Sequence, residues 1–374
     1  MTGLVPWRVR EAVAGWLGAG GRRKLAAARA GISLAPVDDP SRPVLGFGGL
    51  LDDGRLIHGG AVKLLTLRRA FPADESRFTI LYLVSSALPP DPAALVELAR
   101  SRGIRFVWNQ NGVGYPGWAG REHERHNAPM RRLRAMADFV VYQSAFCKDC
   151  ADRFLGPAET PARLLLNPVD LAAFSPGPPL PPEPLRLLAM GTQNYPDRVL
   201  RAIDALAELR AGGTDARLTI AGRLIWPGAA AEVSRHIARR SLGAHVELLP
   251  AFTQAEAPAI YRSHHILLHP KYKDPCPTVV AEALACGLPV VGSNSGGLPE
   301  MTDPACARLI DLPDTWDHLP TPSGPVMAAA VGDLAANLPQ AAGAARAAAM
   351  AKFDSSAWTA SHREIFQSVL APAA

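Results

Sequence analysis

Residues 175–184 read SPGPPLPPEP. Prolines at this density neither continue a helix nor pair in a sheet, so the stretch is a stiff linker and the chain on either side must fold as its own unit. The same pattern runs on both sides of it. Upstream, apolar strand candidates at 44–47, 78–85 (FTILYLVS), 105–108, 139–143 and 164–166 alternate with helical stretches at 61–70, 92–102 and 147–154. Downstream, strands at 185–190, 217–221, 246–249, 266–269 and 289–293 alternate with helices at 198–210, 229–241, 256–263 and 278–286. Strand–helix alternation of this kind builds parallel sheets covered on both faces. The expected architecture is α/β, two Rossmann-like doubly wound domains facing across a cleft, with the ligand at the carboxyl ends of the strands. The expected parts are a basic segment over 1–42, a first domain over 43–174, a second over 185–350, and a last helix over 355–370 capped by Ser355 or Ser356.

Bulk composition narrows the partners. With 48% hydrophobic and 20% charged residues, the 374-residue chain has the balance of a folded globular protein and the length of two domains. Its net charge of +5 is spread thinly, with no basic run interleaved with aromatics, which argues against nucleic acid and for anionic substrates or an anionic membrane surface. Arg8, Arg10, Arg22, Arg23, Lys24 and Arg29 face a single acid, Glu11, near the N-terminus. That segment reads equally as a peripheral membrane contact through residues 1–30 or as a solvated helix lying on the first domain. Five cysteines without paired spacing fit a reducing compartment, and the lone Cys147–Cys150 pair reads as packing. No apolar run has the length of a membrane span. The chain is expected in the cytoplasm, at the inner face of the membrane if its N-terminus binds lipid. His123 and His126 share a helical region without a third ligand, so no metal site is expected.

The chemistry concentrates in residues 269–300, HPKYKDPCPTVVAEALACGLPVVGSNSGGLPE. Asp274 lies in a loop and Glu282 on the helix that follows. Pro277 suits the first helical position, leaving the N–H groups of Thr278, Val279 and Val280 at a helix start whose partial positive charge attracts phosphate.

This block resembles the donor-sugar motif of glycosyltransferase family 4, the retaining GT-B enzymes also known as glycosyl transferases group 1. The family pattern is an acid, seven intervening residues, a Glu, then Ala-Cys-Gly-(Leu)-Pro-Val-Val and Gly-Gly-x-x-Glu. Here those positions are Asp274, Glu282, residues 285–291, and residues 296–300 ending in Glu300. Asn167-Pro168-Val169-Asp170, Gly59-Gly60 and the final helix, which in the family crosses back to the first domain, extend the likeness over roughly residues 43–370. The resemblance implies that Asp274 faces the sugar hydroxyls and Glu282 takes hydrogen bonds from the ribose. It implies that the backbone from Cys276 and Pro277 to Thr278 and Val279 holds the diphosphate, and that Gly59 and Gly60 let backbone approach it.

Three positions depart from the family, the first being Asp274 itself, which is usually a Glu and here is one methylene shorter. Thr192 stands where an Arg is usual, with Arg198, Lys271 and Arg223 as the candidate substitutes for a cationic clamp. Asn109, Gln110 and Asn111 stand where a first-domain His is usual, and amides bind hydroxyls without exchanging protons. The resemblance implies transfer of a sugar from a UDP-, GDP- or ADP-sugar to a glycan or lipid-linked acceptor, retaining and metal-independent, with Asp274, Asn111 and Arg198 at the reacting centre and no bound cofactor. The alternatives are a non-catalytic sugar-nucleotide-binding scaffold and a nucleotide-sugar epimerase.

Overall fold

The computed structural model describes residues 39–49 and 59–372. The basic N-terminal segment expected to touch membrane lies outside them. No helix among the described residues is long and apolar enough to cross a membrane.

The first domain is a five-stranded parallel sheet in the order β1-β2-β3-β4-β5: β1 Leu45–Gly46, β2 Ile80–Val84, β3 Arg105–Gln110, β4 Phe139–Tyr142 and β5 Ala162–Leu164. Between them run α1 (Gly59–Ala70), α2 (Pro92–Ser101), the short α3 (Pro116–Ala119), α4 (His123–Met136) and α5 (Ala145–Leu155). On its outer edge β1 makes one further bridge, Leu45 to Ala73. The chain leaving β1 through α1 thus returns on one side of β1 and only then crosses to β2 on the other. The winding direction reverses at β1, so α1 packs on one face while α2, α4 and α5 pack on the other.

The second domain is a six-stranded parallel sheet in the order β11-β10-β9-β6-β7-β8. Its strands are β6 Leu185–Met190, β7 Ala216–Ala221, β8 Val246–Leu249, β9 Ile266–His269, β10 Val290–Ser293 and β11 Ala307–Ile310. Its helices are α6 (Pro196–Ala211), α7 (Ala229–Arg239), α8 (Ala257–Arg262), α9 (Thr278–Ala285), α10 (Leu298–Met301), α11 (Gly324–Ala335) and α12 (Leu338–Lys352). Side chains of α6, α7 and α11 fill one core and those of α8, α9 and α12 the other. Here too the strands wind in both directions, and the switch falls between β6 and β9. The crevice of a doubly wound sheet opens at that point, off the carboxyl ends of the strands.

Three expectations need correction. Val169 and Phe174, counted with the first domain, pack into the core of the second. The last helix, α13 (Ser355–Leu370), is capped by Asp354, whose side chain accepts from the Ser356 N–H, rather than by either serine. Asn109 and Gln110 lie inside β3 rather than in the loop after it. Trp358, Ile365 and Phe366 of α13 pack on the first-domain sheet beside Leu64 and Leu67 of α1.

Candidate active site

Both switch points open onto one cavity of about 740 Å³ between the two domains. The first domain contributes Ser85, Ser86, Asn111 and Gln143; the second contributes Gly191, Thr192, Arg198, Lys271, Asp274 and the start of α9.

The α9 end of the cavity is built from backbone. Pro277 occupies the N-cap with extended geometry, one residue before the expected position, and no side chain caps the helix. Its carbonyl accepts from the Val280 N–H at 3.0 Å, which takes Val280 out of the expected trio. Thr278 and Val279, ahead of the first helical donor, keep their N–H groups for a ligand. Gly191, at the end of β6, faces Val279 across the cavity floor with φ +105°, a conformation that favours glycine; a Cβ there would sit 3.5 Å from the Val279 side chain. Sequence reasoning placed the close-approach glycines at Gly59 and Gly60, which the structure makes the first two residues of α1. The signal for Gly191 was present as a glycine directly after an apolar strand.

Asp274 is buried, 8% exposed. His269 Nε2 lies 3.0 Å and Lys271 Nζ 2.9 Å from its Oδ2. Burial pushes the carboxyl up, but the Lys271 charge and the His269 hydrogen bond outweigh it and hold Asp274 below the usual carboxylate range. Burial keeps His269 neutral despite the neighbouring carboxylate, so its Nε2–H donates to Asp274. Both partners sit on Oδ2, which leaves Oδ1 as the oxygen outside this pairing. His269 is a positioning residue that sequence reasoning missed, because a histidine ending an apolar strand reads as core. Lys271, a candidate clamp, is committed to Asp274, and Arg223 is exposed and does not line the cavity.

Arg198 is the remaining clamp candidate. It lines the cavity in the first turn of α6, and its Nε and Nη2 have no hydrogen-bond partner. Its guanidinium carbon lies 5.8 Å from the centre of the Tyr195 ring. A buried guanidinium with open donors is costly in a folded chain unless a ligand completes it.

Glu282 differs most from expectation. It is 5% exposed, does not line the cavity, and accepts from Gln254 Nε2 at 2.7 Å and Tyr261 OH at 2.8 Å. Each oxygen accepts one of these bonds and keeps a further acceptor site. Burial raises its carboxyl from 4.5 to about 7, against the pull of both donors. The folded chain therefore holds this proton more tightly than the unfolded chain. The stability this group contributes is complete below pH 4.5 and is lost as pH rises through about 7. Glu282→Gln cannot ionise, so its thermal midpoint should gain on wild type as pH rises across that window. Parallel pH profiles for the two proteins would show that Glu282 ionises as freely in the fold as outside it.

Several bonds fasten the domains around the cavity. Glu300, the last residue of the Gly-Gly-x-x-Glu segment, accepts from the N–H groups of Ala145 and Phe146 at 2.7 and 2.9 Å and so caps α5 of the opposite domain. Ser144 Oγ donates to the Pro275 carbonyl at 2.7 Å, and Asn167 Nδ2 to the Cys276 carbonyl at 2.7 Å. Cys276 thus contributes backbone and packing, with its thiol pushed up by burial. His126 stands against Trp118 at the cavity rim. Among the described residues no three His, Cys, Asp or Glu side chains converge as a metal site would require.

Comparison with known proteins finds likenesses in both sequence and fold. The profile of the family described as glycosyl transferases group 1 matches residues 174–319. D-inositol 3-phosphate glycosyltransferase of Mycobacterium sp. (strain KMS) is 32% identical over 124 residues, 32% of this chain and 28% of the relative. Glycogen synthase of Mycobacterium tuberculosis (strain H37Rv) is 32% identical over 196 residues, 50% of this chain and 45% of the relative. The chain thus spans less than half the length of these curated relatives. In fold it is similar to HepE of Anabaena, solved with UDP and glucose, at TM-score 0.69 and 16% identity over 87% of this chain and all of that one. It is similar also to sucrose-phosphate synthase of Thermosynechococcus elongatus, at TM-score 0.63 and 18% identity over 78% of this chain and 74% of that one. The fold is GT-B, and the second domain, over residues 174–319, matches the family described as glycosyl transferases group 1.

Proposed function

We propose that the chain transfers a sugar from a nucleoside-diphosphate sugar to an acceptor hydroxyl, with retention at the anomeric carbon and without a metal. The observation that carries this reading is the convergence of three features on one cavity: the N–H groups at the start of α9, the unpartnered guanidinium of Arg198, and the ionised Asp274. As the sugar–phosphate bond breaks, negative charge gathers on the departing diphosphate. Fixed dipoles and a cation already aimed at it stabilise that charge without reorganising. Asp274 Oδ1 takes a sugar hydroxyl and orients the ring.

Retention is supported by what faces the sugar from the other side. Among the described residues, the first-domain lining carries no carboxylate and, in His126, one imidazole. Asn111 Oδ1 already accepts from Lys63 Nζ at 2.7 Å, so Asn111 presents only its N–H donors to the cavity. Direct displacement with inversion needs a base there, and the one imidazole, His126, stands against Trp118 at the cavity rim. Attack from the face of the leaving group lets a departing phosphate oxygen take the acceptor proton, and no protein base is required. The solved structures of HepE with UDP and glucose and with UDP-glucose support a uridine nucleotide as the first donor to try. The test is incubation of the full chain with UDP-, GDP- and ADP-sugars. The expected result is a raised thermal midpoint with one nucleotide class and slow release of its nucleoside diphosphate. A raised midpoint without release would leave a binding protein, and no shift with any of them would remove the reading.

A further inference from the structure

Lys63 of α1 is a buried cation, 2% exposed, lying behind the first-domain wall of the cavity. Its Nζ donates to Asn109 Oδ1 at 2.8 Å, Asn111 Oδ1 at 2.7 Å and Gln143 Oε1 at 3.0 Å. Three donors meet three acceptors, and every acceptor is neutral. The ionisable groups that act on it are the thiols of Cys276 and Cys147, which burial keeps protonated. Burial lowers the lysine from 10.5 to about 8, which still leaves it mainly charged at neutral pH. A buried ion without a counter-ion is expensive, and a fold that needed only packing here would be better served by an apolar side chain.

The charge has a structural consequence. An ammonium only donates, so it takes the oxygen end of each amide and turns the NH2 end away. Asn111 and Gln143 both line the cavity. Asn111 Nδ2 reaches Ser86 Oγ at 2.5 Å, while Asn109 Nδ2 is spent on Tyr82 OH at 2.9 Å. The Gln143 side chain also bonds the buried Cys147 thiol, so the wall offers the second N–H of Asn111 and of Gln143 beside the Ser85 and Ser86 hydroxyls, with an uncompensated positive charge behind it.

Resting on the transferase reading, we infer that this wall is an oxyanion subsite for the acceptor. Lys63 is the positioning residue behind Asn111 and Gln143, and the acceptor carries a phosphate or carboxylate group. The α9 start and Arg198 serve the leaving diphosphate on the opposite wall, so the two positive regions have separate anions to hold.

The test is titration of inorganic phosphate and of acetate into the full chain saturated with UDP. The two arms tell a phosphate subsite from a carboxylate subsite. At least one anion should bind the wild type, and Lys63→Met should weaken it by on the order of tenfold or more. Asn111→Asp places an acid beside the lysine without opening a cavity and should weaken anion binding comparably. UDP binding, set by the opposite wall, reports that each variant is folded. If neither anion binds the wild type, or if both variants bind it as the wild type does, the inference is wrong. If UDP itself fails to bind, the transferase reading falls, while the anion titration on the free protein still decides this one.

Discussion

Arg198→Ala is expected to lower sugar transfer by about a hundredfold or more while leaving thermal stability unchanged or raised. Removing one preorganised donor from developing negative charge typically costs about 10²–10³ in turnover. Arg198 is the remaining unpaired candidate on the donor wall, because Lys271 is spent on Asp274 and Thr192 carries no charge. Stability should move the other way. In the free protein the guanidinium leaves Nε and Nη2 without partners, and burial lowers its pKa. Truncation relieves that cost, the usual trade between a functional site and the fold that carries it. Initial rates of nucleoside diphosphate release, taken with the thermal midpoint, give both numbers. A loss of under threefold in rate would show that Arg198 does not face the leaving group. A matching loss of stability would show that it is structural.

Trp316→Ala should produce the largest change in domain arrangement. The loop between β11 and α11 is held to the second domain by Tyr272, whose OH donates to the Pro313 carbonyl at 2.9 Å and accepts from the Thr315 N–H at 2.8 Å. From that anchor Trp316 reaches into the first domain. Its ring lies 5.1 Å from Tyr115, 5.0 Å from Phe154, and 6.0 Å from Phe146 in a stacked pair. Lys273 Nζ stands 3.5 Å above the same ring, one residue before Asp274. Further along the loop, Leu319, Pro320 and Thr321 line the cavity. Truncating a well-packed aromatic costs about 3 kcal/mol. Here that loss falls on the contact between the domains and leaves Lys273 held by Asp314 without the indole ring beneath it. The expected result is a larger radius of gyration in solution without ligand, recovered when nucleotide binds, and a donor KM raised at least several-fold. An unchanged radius and KM would mean that the remaining interdomain bonds, among them those of Ser144, Asn167, Glu300, Tyr195 and the Gly117 N–H, hold the cleft closed by themselves.

How much was legible in the sequence depended on what each feature needs. Strands β6 and β9 fall where apolar runs end at turn residues, because a strand buried on both faces has no other way to be written. The helix His123–Met136 was not delimited: it is strongly polar, and its inward face is made of Asn127, Met130, Leu133 and Arg134. β11 was missed because ARLI is too short to stand out before its neighbours are known. Within the site, local motifs carried Asp274, the α9 start and Arg198 to one cavity. What the sequence did not show depends on contacts far apart in it. Glu282 is tied to Tyr261 and Gln254, and Lys63 to amides 46 to 80 residues away. Such partners meet only when the chain is folded.

A crystal of the full chain grown with UDP or an intact UDP-sugar tests the core of this account. The diphosphate should lie within hydrogen-bond distance of the Thr278 and Val279 N–H groups, with Arg198 turned onto it and the sugar against Asp274. A nucleotide found elsewhere on the molecule, with the start of α9 and Arg198 untouched, would contradict it.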